Sequence, residues 1–288
     1  MNFFENKKTK KFHTPLDLPK DFKVLERVGP YTKNEVKNED LTPEQISLKE
    51  KITAELENID FYLLHDIFTK ILKSCGVNPD TVFLPEAKDI LFQNIKKNVN
   101  AVSYSFLDFK RKEKKDSIYF NLNEEALEKL SQAEGFKILK IIIHEIVHQI
   151  QSVYVSSDNV IYGLSIKNIL SKDISFDNIN EGLVEIISDD IFEEYCNTKG
   201  FSKQKPSQNY DSEKYFLNLI IESISEESEL PINVVKNSFV RASFTGQSII
   251  SPELWDLYGD DLKAFLATGI KNSNSKSFFT KIAEFLKS

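Results

Sequence analysis

The stretch Ile141-Ile142-Ile143-His144-Glu145-Ile146-Val147-His148-Gln149-Ile150 decides how this chain is read. Isoleucine and valine surround the His-Glu-His trio, so a helix here is apolar nearly all round and belongs in a core. Positions four apart on a helix lie about 40° apart on one face. His144 and His148 therefore project together, while Glu145 is angled to one side. Burying two imidazoles and a carboxylate is costly unless they are paired or bind a metal.

Two imidazoles at this spacing can meet one ion, and a Glu beside the first can reach a water on that ion. That is the logic of H-E-x-x-H in zinc hydrolysis, where two ligands and a base come from one rigid stretch of helix. The expectation is one Zn2+ per chain, bound by His144 and His148, with Glu145 taking the proton as water attacks a carbonyl. A catalytic zinc needs a third protein ligand and an open position. The remaining histidines, His13 and His65, lie far upstream, and Met1 is the only methionine, so no Met-turn follows the motif. The sequence offers instead Asn180-Glu181-Gly182-Leu183-Val184-Glu185-Ile186-Ile187-Ser188-Asp189, an acidic helix with an apolar stripe.

With these two segments, residues 141 to 192 resemble the gluzincins, metallopeptidases with H-E-x-x-H on one helix and a Glu ligand on the next. Two registers of the resemblance compete. Asn180-Glu181-Gly182 with Glu185 is similar to the N-E-G-x-x-E form, which implies Glu181 as ligand and Glu185 as its supporting partner. Glu185-Ile186-Ile187-Ser188-Asp189 is similar to the E-x-x-S-D of thermolysin-like enzymes, which implies Glu185 as ligand and Asp189 orienting a ligand histidine. The longer match favours Glu181. The resemblance further implies a peptide or protein substrate. The strand Ser117–Leu122 suits the edge strand of a zincin cleft, where an extended peptide adds to the sheet. An ordinary structural hairpin explains it equally well. Candidate donors to an oxyanion are Tyr162, Tyr195, Tyr210, Tyr215, Tyr258 and Arg241.

Outward from this centre, the first forty residues are polar and broken by Pro15, Pro19, Gly29 and Pro30. They read as an extended arm with a short strand at 22–25. Thr42 and Pro43 open a helix with N-cap and first-turn chemistry, and helical patterning runs on to Leu72 with a break at 58–60. Residues 86–97 read as a short helix. Val102, Tyr104 and Phe106, then Ile118, Phe120 and Leu122, alternate with period two around a charged loop at 110–116, the pattern of a β-hairpin. Beyond Asn123 the expected helices are 124–132, 136–153, 159–170, 180–198, 212–226, 232–242, 252–266 and 275–287.

The expected architecture is α+β and helix-rich, a zincin-like metallopeptidase fold with a small β-sheet and a mostly helical C-terminal part. Its expected divisions are a polar arm (1–45), an α+β subdomain with the hairpin (46–135), and a helical part carrying both motifs (136–288).

The 288 residues carry a formal net charge of −7 with no basic stripe, which argues against a nucleic-acid partner. The longest apolar run is too short and too polar for a bilayer span, and the N-terminus lacks the apolar core of a secretory signal. Cys75 and Cys196 stand in no paired-ligand spacing and read as buried thiols of a reducing compartment, with the cytoplasm expected. There is no G-x-S-x-G, P-loop or G-x-G-x-x-G. Beside a zinc metallopeptidase stand three other readings. They are a zinc hydrolase acting on a non-peptide amide, a non-catalytic helical interaction protein on the same scaffold, and a latent protease whose arm covers its cleft.

Overall fold

The computed structural model describes residues 23–31, 35–155, 159–168, 174–175, 177–201, 210–246, 252–268 and 270–287. The chain is helix-rich α+β. It divides into two compact units. One comprises Leu25–Ile150 and Ile186–Asn209, and the other comprises Met1–Val24, Gln151–Glu185 and Tyr210–Ser288. No described helix is long and apolar enough to cross a membrane. Most of the arm expected at 1–45, including Phe22, lies outside the described residues.

The first of these units starts with β2 (Glu26–Val28), which follows β1 (Lys23–Val24) of the other unit. Helix α1 (Pro43–Asn58) opens as its sequence predicts: Thr42 Oγ1 accepts from Gln45 N, Gln45 Oε1 accepts from Thr42 N, and Pro43 fills the first turn. Asp60 caps α2 (Phe61–Ser74) by accepting from Leu63 N at 3.0 Å. Next come β3 (Ile90–Gln93), β4 (Ala101–Asp108), β5 (Glu113–Asn121), α3 (Glu124–Ser131) and α4 (Gly135–Ile150). The helix expected at 86–97 is a single 3-10 turn followed by β3. Ile90 and Phe92 alternate into the core beside β5, and that pairing overrides the weak helical pattern.

β5 pairs antiparallel with β4 along its length and parallel with β2 and β3 on its other side. This overturns the expected edge strand at 117–122, because β5 is the centre of its sheet. Its far-side neighbours come from distant segments of the chain. β4 pairs only with β5 among the described residues, and it turns Tyr104 and Phe106 outward at 37% and 47% exposure. The charged segment 110–116 is also mostly strand, with Lys114 and Asp116 buried. Helix α4 packs on β4, β5 and α1 and buries Ile138, Ile142, Ile143 and Ile146.

The other unit holds a five-stranded antiparallel sheet, in the order β1, β6 (Val153–Val155), β7 (Asn159–Tyr162), β8 (Ser165–Asn168), β9 (Ile174–Ser175). A helix was expected over 159–170. The hairpin β7–β8 stands there instead, turning at Gly163 with φ +53°. Two residues with Gly first, between Val160-Ile161-Tyr162 and Ser165-Ile166, form a hairpin signal that outweighs a short apolar pattern. Helix α4 likewise stops at Ile150, short of the expected 153, because β6 follows it. The helices α6 (Asp211–Ser228), α7 (Ile232–Thr245), α8 (Pro252–Thr268) and α9 (Ser273–Lys287) lie close to expectation. Leu217, Ile220, Ile224, Phe239, Phe278 and Phe279 form their core. Helix α5 (Asp177–Thr198) is continuous and passes from one unit into the other.

Candidate metal centre

Helix α4 carries His144 and Glu145, both buried, and His148, which is partly exposed. The two histidine Nε2 atoms stand 3.2 Å apart, with the rings inclined at 72°. Tetrahedral zinc with Zn–N bonds near 2.05 Å separates two ligand nitrogens by ~3.3 Å, so the pair has the spacing that one ion requires.

Helix α5 lies antiparallel to α4, a relationship fixed by contacts inside the first unit. Phe136, at the start of α4, meets Phe192 edge-on at 6.4 Å, and one turn later Lys140 Nζ lies 2.6 Å from Asp189 Oδ1. One ligand atom from each of His144, His148 and Glu181 lies within 4.8 Å of the others.

No protein-family model, curated protein or solved structure matches this chain.

Two imidazoles and a carboxylate make a donor set suited to zinc. Glu145 follows His144 directly on α4, off the face that carries the histidines. Glu185 is buried one turn beyond Glu181, and Asp189 a further turn on, at the Lys140 ammonium. The three acids expected to matter thus form one stripe along α5, with Glu181 at the histidines and Asp189 at the lysine.

Of the oxyanion candidates, Tyr195 is committed elsewhere. Its hydroxyl oxygen accepts from Asp60 N at 2.9 Å, burial pushes its pKa upward, and it sits roughly 20 Å along α5 from Glu181. Tyr215 is 57% exposed on α6, and Tyr258 packs on Phe278.

Two features escaped the sequence reading. Lys140 breaks the apolar run one turn before His144, and with acids spaced by four along 181–189 it carried a usable signal for the ion pair. Lys114 and Asp116 had no such signal. Lys114 is fully buried, pairs with Asp116 at 3.2 Å, and donates to the backbone oxygen of Gln149. A lysine there serves a carbonyl that the end of α4 leaves without a helical partner.

Proposed function

We propose that this chain is a zinc-dependent metallopeptidase of gluzincin type, with His144, His148 and Glu181 holding one Zn2+ and Glu145 acting as general base. The observation that carries the reading is the convergence of those three ligand atoms, two from one turn of α4 and one from α5. A zinc ion held there supplies Lewis acidity and brings the pKa of a water toward neutrality.

The protein's own part is positioning and proton transfer. Glu145 accepts the proton of the attacking water and passes it to the departing amine. The Lys140–Asp189 pair holds the two helices in the register that keeps the ligands together. Glu185, buried beside Glu181, supports the carboxylate stripe from which the third ligand comes. A zincin-like fold is part of the same proposal, with β4, which pairs on one side only among the described residues, as the place for an extended substrate. Cys75 and Cys196 are both buried free thiols, which supports a reducing compartment such as the cytoplasm.

The test is hydrolysis of a mixed peptide library by the zinc-loaded protein, read by mass spectrometry, beside a panel of non-peptide amides. Cleaved peptides support the proposal. Turnover of amides alone moves the reading to an amidohydrolase. A zinc-loaded protein that hydrolyses nothing leaves a binding scaffold.

A further inference from the structure

The residue before Glu181 is held by an unusual set of bonds. Asn180 is buried, and its side-chain amide pairs reciprocally with that of Gln151, also buried. Gln151 Nε2 donates to Asn180 Oδ1 at 2.8 Å, and Asn180 Nδ2 donates to Gln151 Oε1 at 3.2 Å. Asn180 Oδ1 accepts a second bond, from Leu164 N at 3.0 Å in the β7–β8 turn. Gln151 stands three residues beyond His148, just past the end of α4. Asn180 stands directly before Glu181.

The glycines around this pair fit the same purpose. A Cβ on Gly163 would lie 2.4 Å from Gln151 Nε2 and 2.7 Å from Asn180 Oδ1, so only glycine leaves room for the two amides. A Cβ on Gly182 would lie 2.4 Å from the backbone oxygen of Glu213, so α5 is pressed against the start of α6 directly after Glu181. The residues on both sides of Glu181 are therefore fixed, one by an amide pair and the other by backbone contact.

We infer that Gln151 and Asn180 are positioning residues that set where Glu181 presents its carboxylate, with Gly163 making room for them. The inference rests on the metal-centre reading above. An amide pair suits the task because it carries no charge to compete with the ligand carboxylate. Each member also supplies both a donor and an acceptor, so the pair fixes orientation as well as distance.

The test is titration of the full-length, chelator-stripped protein with Co2+, reading both affinity and the ligand-field absorption bands. Wild type is compared with Gln151→Leu, which keeps volume and removes the amide. It is also compared with Gly163→Ala, which keeps both amides and displaces them. Thermal unfolding of each metal-free protein is measured in parallel. The expected result is Co2+ binding weakened on the order of 10- to 100-fold in both variants, the range for residues that orient metal ligands, with altered bands. Either variant, folded and binding Co2+ within twofold of a wild type that binds one equivalent, overturns the clamp alone. A wild type that binds no Co2+ overturns the metal centre itself and the clamp with it.

Discussion

Lys140 Nζ lies 2.6 Å from Asp189 Oδ1, with the lysine side chain almost wholly buried. The pair sits one turn before His144 on α4 and two turns beyond Glu181 on α5. It therefore acts as the register pin for the two helices that supply the proposed ligands. A buried pair of this kind contributes little net stability compared with apolar side chains, but breaking one side of it leaves a stranded charge.

Asp189→Ala is accordingly expected to cost about 3 kcal/mol of unfolding free energy by urea denaturation. Replacing both partners, as Lys140→Met with Asp189→Leu, should cost less than the single change. A single variant as stable as wild type would show that the pair does not hold the register.

A second buried pair lies beneath the end of α4. Burial pushes the Lys114 pKa below its ordinary value, while Asp116 opposes that shift. Asp116→Ala should destabilise the protein by about 3–5 kcal/mol, because it strands the ammonium. The sign of the pH dependence follows from the lowered pKa. Protonated Lys114 is less favoured in the folded than in the unfolded chain. Its contribution to stability therefore improves as pH rises from the lowered value toward the ordinary 10.5. Urea midpoints on the alkaline side should show this rise in wild type and lose it in Lys114→Met.

At the far end of α5, Lys199 and the cap bond from Leu63 N hold the Asp60 carboxyl below its usual range. A lowered acid pKa contributes stability above the unfolded value of 3.8, and that stability disappears as pH falls through the folded value. Asp60→Asn should keep the cap but remove this acid-side dependence. Asp60→Ala should cost about 1 kcal/mol through the lost cap. Denaturant midpoints between pH 2 and 7 for the three proteins check both statements.

Much of this architecture was legible because its signals are local. Thr42-Pro43 with Gln45 announces α1, and the apolar wrapping of His144-Glu145-x-x-His148 announces a buried α4. Asn180 to Asp189 reads as a helix with its acids in one stripe, and α5 is that helix. What stayed hidden depends on partners far along the chain. β5 has a polar, charged first half and still runs through the middle of its sheet, because residues 26–28 and 90–93 come to its other side. Residues 159–168 contain enough isoleucine and valine to imitate a helix until Gly163-Leu164 is weighed as a turn. At the site, spacing alone brings out His144 and His148. Spacing could not choose between Glu181 and Glu185, because the two stand four residues apart on the same stripe of α5.

Glu145 is separable from metal binding. Glu145→Gln keeps the size and burial of the side chain but cannot take a proton. It should retain zinc at wild-type stoichiometry while turnover of any identified peptide falls on the order of 10²- to 10⁴-fold. Full activity in that variant would remove Glu145 from the reaction.

The most direct test of the central claim is the metal content of the purified protein, measured by elemental mass spectrometry beside His148→Ala and Glu181→Ala. The account predicts about one zinc per wild-type chain and loss of most of it in each variant, with both variants still folded. A wild type that holds no metal even after incubation with zinc, or variants that retain it in full, would contradict the account.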